Sequence, residues 1–200
     1  MKQLKERTNT FQQLELLFEH DIYTFQHSLR VAELLFKLGQ RLNMSEESIE
    51  ELYQLGALHD IGKIRIPKAT LNKEGQLTEQ ERNALQQHTI YGYDILRHDK
   101  YSQKFLDGVI YHHENFNGTG YPYRISAHVE GIPIYAQILR VVDSFDAMTS
   151  NRSYQKAFSI DKALTEIESL KGIFYSPKIV DAFASMFWEK STEFKGESLT

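Results

Sequence analysis

The chain has 200 residues, of which 41% are hydrophobic, and its formal net charge is −4. This length and composition predict one compact domain with a sizeable core, and the acidic balance argues against a nucleic-acid-binding protein. Cysteine is absent, which excludes disulfides, cysteine zinc sites and thiol nucleophiles. No stretch approaches the roughly 18–20 apolar residues of a membrane span, and no apolar segment follows the charged start, so we expect a cytoplasmic protein without membrane contact.

The first three predicted helices bring one histidine into an apolar face. Residues 1–20 carry apolar residues at helical spacing after Thr10, a residue type that favours helix N-caps, and they predict a packing helix. A second helix is predicted from about 21 to 43, with His27 on its apolar stripe. Ser45 predicts the N-cap of a third helix. A single histidine on an apolar face is more often a core residue than a ligand, so both interpretations stay open for His27.

The third helix ends in a group of polar residues. His59 and Asp60 follow its apolar stripe, and Lys63 comes one turn later. A buried His-Asp pair beside a lysine is costly unless something binds it. Asp60 has two carboxylate oxygens and can bridge two cations, whereas His59 can serve only one. A capping-box pattern at residues 78–81 then predicts a helix that carries His88 about three turns in.

A later helix ends at an adjacent pair, His112 and His113, which is followed by Gly118, Gly120 and Pro122. Neighbouring helix positions diverge by roughly 100°, so both imidazoles can serve one site only where the helix ends. Glycine permits positive φ and exposes backbone N–H groups, so the segment predicts a loop that wraps a phosphate-sized anion. An ordinary glycine-rich turn is the alternative.

The last third of the chain supplies two more acidic candidates. Pro133 favours a helix N-terminus, and the helix that follows places Asp143 and Asp146 on one face. Arg152 is either a phosphate-binding fork or a plain surface charge. Two further amphipathic helices, the first capped by Ser159, are predicted to pack on the core.

Seven of these side chains form a ligand set of imidazoles and carboxylates: His27, His59, Asp60, His88, His112, His113 and Asp143. Such ligands without thiolate suit Fe(II), Mn(II), Zn(II), Ni(II) or Co(II), and the residues do not choose among them. Seven ligands exceed the needs of one ion, and with Asp60 as a bridge they suit two ions about 3.5–4 Å apart. A metal pair of this kind generates hydroxide at neutral pH and stabilises a phosphoryl transfer.

Over residues 20–185 the chain resembles the HD-GYP phosphodiesterases of the HD hydrolase superfamily. The likeness rests on four segments: the opening helix at 20–31, the HD segment at 58–67, the GYP segment at 112–122, and the closing helix and turn at 143–154. It implies an all-α fold, namely an HD-domain helical bundle with an extended GYP loop. The domains it implies are an N-terminal helix at 1–20, a catalytic domain at 21–190 and a loose tail at 191–200.

The resemblance also implies an activity, the hydrolysis of cyclic dinucleotides, chiefly cyclic di-GMP, to linear products by a hydroxide that bridges two metals. One ion would be held by His27, His59, Asp60 and Asp143, and the other by Asp60, His88, His112 and His113. Asp60 and Lys63 would be catalytic. The substrate-binding residues would be Asn117, Gly118, Gly120, Tyr121, Pro122 and Arg152. Some relatives bind a third ion through a glutamate where this chain has Tyr23, so we expect two ions, with iron or manganese ahead of zinc, nickel or cobalt.

Three features depart from the family pattern. Asn117 stands where the GYP segment usually has aspartate, and Gln137 replaces a common arginine. The loop at 123–132 is slightly longer than usual and lacks the usual early glycine. The altered loop leaves two alternatives to the enzyme: a catalytically weak cyclic-dinucleotide-binding module that reports to a signalling protein, and an HD hydrolase of another nucleotide phosphoester. The oligomeric state, including a homodimer, stays open.

Overall fold

The computed structural model describes residues 2–128, 131–150 and 156–193, with side chains from residue 10 to 187 inside those ranges. The described chain is helical and contains no β-strand, so the predicted all-α class is confirmed. A 3₁₀ helix spans Ile61–Arg65. The α-helices are α1 (Lys2–His20), α2 (Ile22–Arg41), α3 (Glu46–Leu58), α4 (Lys68–Leu71), α5 (Glu79–Gln86), α6 (His88–Leu96), α7 (Gln103–Tyr111), α8 (Ile134–Thr149), α9 (Ile160–Ser169) and α10 (Pro177–Glu193).

Local capping explains where several helices begin. Ser45 and Ser159 accept hydrogen bonds from the backbone N–H three residues later, as predicted. Thr78 and Glu81 form the reciprocal pair of a capping box, which satisfies N–H groups that the first helical turn leaves free. The prediction for Thr10 was wrong, because α1 already begins at Lys2.

Helix α1 packs against the rest of the bundle. Leu17 is fully buried in the core. The Nε2 amide of Gln13 donates to Asp99 Oδ2 at 2.6 Å, and the hydroxyl of Thr10 lies 3.0 Å from the hydroxyl of Tyr101. The described part of the predicted N-terminal helix is therefore in contact with the bundle. The domain boundaries stay predictions, and residues 194–200 of the predicted tail lie outside the described residues.

The helix predicted after the capping box is in fact two helices. Helix α5 ends at Gln86, and α6 begins at His88 after a single intervening residue. The 3₁₀ helix passes very close at this place: a Cβ on Gly62 would lie 1.9 Å from the carbonyl oxygen of His88. Only glycine allows this approach. The backbone of His88, at the start of α6, therefore lies directly against the segment that follows Asp60.

The core lies between α2, α3, α7 and α8. Its fully buried members include Leu35, Leu55, Val109 and Val142. At one end of this core the polar ends of α3 and α7 meet the start of α6 and the middle of α8. None of the helices in the described ranges is long and apolar enough to cross a bilayer.

Candidate metal centre

The seven predicted ligands come together in space, although they lie on five separate segments. Two groups each place their ligand atoms within 4.8 Å of one another: His27, His59 and Asp60 in one, and His88, His112 and His113 in the other. Asp143 joins the first group through Oδ1, which lies 3.0 Å from Nε2 of His27, and approaches the second through Oδ2, which lies 4.0 Å from Nδ1 of His113.

Asp60 lies between the two groups. Its Oδ2 is 3.4 Å from Nε2 of His59 and 3.7 Å from Nε2 of His27, while its Oδ1 is 3.3 Å from Nε2 of His88. Its side chain is buried. Each carboxylate oxygen therefore faces a different set of imidazoles, which is the arrangement that a bridging ligand requires.

Three histidines are held with one nitrogen turned towards the site. Nδ1 of His59, His88 and His112 lies 2.7–2.8 Å from the carbonyl oxygen three residues earlier, at Gly56, Leu85 and Val109. A carbonyl can only accept, so Nδ1 carries the proton in each ring. Nε2 is then the unprotonated nitrogen, as metal coordination needs, and the backbone contact fixes the ring orientation.

His27 is oriented by a carboxylate. Its Nδ1 donates to Asp146 Oδ2 at 2.7 Å, and Asp146 also accepts from Nε and Nη2 of Arg30, both at 2.8 Å. Burial alone would lower the pKa of His27, but the hydrogen bonds to Asp143 and Asp146 raise it to about 9. Metal binding at this ring therefore has to displace a proton.

The histidines of the second group are neutral. Burial lowers the pKa of His88 to about 4 and holds the pKa of His112 and His113 well below the usual value of 6.5. Asp60 is ionised: burial would raise its pKa, but the positive charge of Lys63 lowers it. Neutral imidazoles beside an ionised carboxylate are the protonation states that a divalent cation needs.

Buried polar atoms without hydrogen-bond partners are a second indication that the centre binds a cation. Within the described part of the chain, Nε2 of His59 and Oδ1 of Asp60 are buried without a hydrogen-bond partner. Buried polar atoms are nearly always satisfied, and each exception needs an explanation. A metal ion explains both.

Lys63 contacts the central carboxylate directly. Its Nζ lies 2.5 Å from Asp60 Oδ2, and its side chain is 21% exposed. The predicted catalytic lysine is therefore at the site and reaches solvent, and its role in catalysis stays a prediction.

The GYP segment forms a tight loop anchored by Glu114. Oε1 of this buried carboxylate accepts from the backbone N–H of Tyr123 at 2.7 Å and of Arg124 at 3.0 Å. The N–H groups of Phe116 and Asn117 donate to carbonyl oxygens of Phe174 and Ile173. The loop is thus fastened both to itself and to the turn before α10.

The expected backbone cradle for an anion was wrong. The N–H of Gly118 donates to the carbonyl of Asn115, that of Tyr121 to the carbonyl of His113, and that of Thr119 to Oδ1 of Asn117. These donors are used within the loop. The residues of this loop stay predicted substrate contacts, but the N–H groups of Gly118, Thr119 and Tyr121 do not support that prediction.

The two glycines shape the loop in different ways. Gly118 has φ +83°, a conformation that favours glycine. A Cβ on Gly120 would lie 2.3 Å from backbone atoms of both His113 and Asn115. The close approach at Gly120 brings the ring of Tyr121 onto His113, with centroids 4.6 Å apart and planes at 24°. The Tyr121-Pro122 peptide bond is cis.

Some functional candidates were outside the sequence prediction. The sequence places Asp146 on the helix face of Asp143, but its pattern assigns no role to Asp146, Glu114 or Arg140. Their contacts join segments that are far apart in the chain, so no local sequence pattern predicts them. Arg152, a predicted substrate contact, lies outside the described residues.

A helical bundle that gathers histidines and aspartates from five segments around one buried aspartate is the arrangement of an HD-domain protein. The sequence profile of the HD domain family matches residues 12–179, and the chain belongs to this family. Phosphohydrolases of this family depend on metal, and the described residues include two groups that could hold an ion.

Similar proteins place the chain among the HD-GYP members, as the motifs predicted. A cyclic di-GMP phosphodiesterase of Thermotoga maritima is 38% identical over 187 residues, which cover 92% of this chain and 50% of that protein. A 3'3'-cGAMP-specific phosphodiesterase 2 of Vibrio cholerae is 33% identical over 79% of this chain and 30% of its own length. The chain thus spans half or less of these relatives.

A solved structure shares the fold. Bd1817, an HDG"Y"P protein of Bdellovibrio bacteriovorus, superposes with a TM-score of 0.66 at 18% identity. The match covers 82% of this chain and 52% of that one. At this identity the likeness concerns the fold.

Proposed function

We propose that this chain is a metal-dependent phosphodiesterase that hydrolyses cyclic dinucleotides, cyclic di-GMP first among them, to linear products. The observation that carries the proposal is the position of Asp60, whose two oxygens face two separate groups of imidazoles. The names of the similar proteins support the substrate class.

The chain would hold two divalent ions, with iron or manganese first. His27, His59, Asp60 and Asp143 would bind one, and Asp60, His88, His112 and His113 the other. Bound there, the ions would supply an activated water and neutralise charge on the phosphate under attack. Binding and orientation of the substrate would come from the side chains around the centre and from the GYP loop.

Lys63 and the GYP loop are proposed to act on the substrate. The ammonium of Lys63 lies beside Asp60, where a positive charge stabilises negative charge that develops on phosphate oxygens. Burial raises the pKa of Tyr121, so its hydroxyl keeps its proton and remains a hydrogen-bond donor. The loop, fastened by Glu114, would position the nucleotide against the centre.

The test is turnover by protein loaded anaerobically with Fe(II) or Mn(II). The panel contains cyclic di-GMP, 3'3'-cGAMP, cyclic di-AMP and a linear dinucleotide, and bound metal is counted in each sample. We expect near two ions per chain and hydrolysis of a cyclic dinucleotide. Tight binding with no turnover would favour the binding module, and cleavage of the linear compound alone would favour another HD hydrolase.

The matched variants are Asp60→Asn and Asp94→Asn. Asp60→Asn removes the charge of the central ligand and should abolish turnover and lower the metal content of both groups. Asp94 lies on the surface beside Arg97, so Asp94→Asn should behave as the parent. Turnover of Asp60→Asn within about tenfold of the parent, only ~1.4 kcal/mol of barrier, would contradict the bridging role.

A further inference from the structure

Arg140 lies on α8, one turn before Asp143, and is half-buried against the GYP loop. Its Nε and Nη2 donate to Oδ1 of Asn115 at 3.2 and 2.9 Å, and its Nη1 donates to the hydroxyl of Ser144 at 2.8 Å. The guanidinium carbon also lies 5.5 Å from the ring centroid of Tyr175. All of these partners are neutral.

Among the residues that the structure describes, no neighbouring carboxylate balances the charge of Arg140. In the described ranges no aspartate or glutamate forms an ion pair with it, in contrast to Arg30, which pairs with Asp146. An arginine has five N–H donors, and three of those of Arg140 are engaged. A half-buried cation with free donors and neutral neighbours favours an anionic ligand.

The position of Arg140 connects it with the proposed centre. Its partner Asn115 comes two residues after His113, and Asp143 follows Arg140 on the same helix face. Burial is the main cause of the low pKa of His113, and the charge of Arg140 adds to it. Burial raises the pKa of Tyr121, and the same charge opposes that rise. The guanidinium therefore acts electrostatically on two site residues.

We propose that Arg140 binds the second phosphate of the cyclic dinucleotide, the one that is not being cleaved. This inference rests on the proposed function. A cyclic dinucleotide carries two phosphodiesters, and once one of them lies at the metal centre the other still brings a negative charge to the loop side of the site. A guanidinium with two free N–H groups can bind two phosphate oxygens in parallel.

A purely structural role for Arg140 makes different predictions. If it only anchored the loop through Asn115, then Asn115→Asp would be less harmful than Asn115→Ala: both lose the hydrogen bond from Nδ2 of Asn115 to Oγ1 of Thr119, but the carboxylate still accepts from arginine. If its charge is needed for the substrate, Asn115→Asp is the more harmful of the two, because the new ion pair neutralises that charge. Asn115→Ala removes the anchor and leaves the charge.

The experiment measures kcat, KM and bound metal for the parent, Arg140→Gln, Arg140→Lys, Asn115→Asp and Asn115→Ala. Arg82→Gln removes an exposed positive charge on α5 and is the control. We expect Arg140→Gln and Asn115→Asp to raise KM about ten- to hundredfold, as loss of a charge-assisted contact does. Metal content should be unchanged, kcat should change less than KM, and Arg140→Lys should lie in between because it keeps the charge and loses the fork.

The outcomes separate this inference from the function on which it rests. If the parent hydrolyses a cyclic dinucleotide and both Arg140→Gln and Asn115→Asp keep KM within about twofold, less than half of one tenfold step in free energy, the assignment of Arg140 alone is overturned. If the KM of Asn115→Asp lies closer to the parent's than the KM of Asn115→Ala does, the assignment is overturned in favour of the loop anchor. If Arg140→Gln does not fold, Asn115→Asp decides. A parent that neither binds nor cleaves any cyclic dinucleotide overturns both proposals.

Discussion

The contact of Lys63 with Asp60 is compatible with two roles: keeping the Asp60 carboxylate ionised, and stabilising charge on the substrate phosphate. Its ammonium lowers the pKa of the Asp60 carboxyl, against the effect of burial. It could thus serve only to keep the ligand ionised. Once cations occupy both sides of Asp60, that task becomes redundant, and a partly exposed ammonium remains beside the place where the phosphate would lie.

We therefore expect Lys63→Ala to keep its metal and lose activity. The loss in kcat should be about a hundredfold or more, as for removal of a positioned proton donor or charge. Turnover and elemental analysis on the same samples check this. Lys73→Ala, which removes a half-buried lysine paired with Glu81 away from the site, is the control. If kcat is unchanged, or falls only together with the metal content, Lys63 serves only to keep the Asp60 carboxylate ionised.

Individual ligands were predictable from the sequence, whereas the residues that orient them were not. His59, Asp60, His112 and His113 are conspicuous because adjacent polar residues end apolar helices. The hydrogen bond from His27 to Asp146 spans 119 positions in sequence. Such a contact depends on the packing of α2 against α8, and the spacing of residues within either helix does not predict it.

At the scale of elements, the approach of the 3₁₀ helix to α6 sets the separation of the two ligand groups. Gly62 lies against the backbone of His88, and the 3.3 Å between Asp60 Oδ1 and His88 Nε2 depends on this contact. Any side chain at position 62 must push the two segments apart.

Gly62→Ala should consequently lose metal at the second group and lower the stability of the fold. The Cβ would meet main-chain atoms, which cannot rotate away, so we expect a destabilisation of several kcal/mol, as for strong overpacking. Urea unfolding and metal analysis measure the two effects. Gly75→Ala is the matched control: its φ is +101° with nothing within 4 Å of a Cβ, so it should cost some stability and no metal. Full metal content in a folded Gly62→Ala would refute this account of the spacing.

Helix starts and helix breaks differ in how well the sequence predicts them. Ser45, Thr78 and Ser159 were correct as N-caps because a cap is a contact over three residues. The break between α5 and α6 was not predictable, because Gln87 keeps helical φ and ψ values and the contact of Gly62 with the backbone of His88 joins separate segments of the chain. At this break, Nδ1 of His88 lies 2.7 Å from the carbonyl oxygen of Leu85.

For the molecule as a whole, the two ligand groups bind protons with opposite effects on stability. The pKa of His27 is raised to about 9 in the folded state from 6.5, so its contribution is complete below pH 6.5 and is lost as pH rises towards 9. The pKa of His88 is lowered to about 4, so its contribution is present above pH 6.5 and is lost as pH falls towards 4. Metal-free protein should therefore be most stable near pH 6.5.

Metal should cancel the alkaline loss of stability that comes from His27. Cations bind only deprotonated ligands and stabilise the folded state that holds them. Between pH 6.5 and 9 the midpoint of thermal unfolding should fall in a chelator, whereas the extra stabilisation by Mn(II) should grow, because the proton on His27 becomes easier to displace. His27→Gln should flatten the alkaline slope of the metal-free protein, and His88→Gln should lessen the acid slope between pH 6.5 and 4, to which His112 and His113 also contribute. Melting curves across pH 4–9, with and without Mn(II), measure all four effects. An alkaline slope that persists in His27→Gln would assign that titration to another group, and an acid slope that is unchanged in His88→Gln would do the same on the acid side.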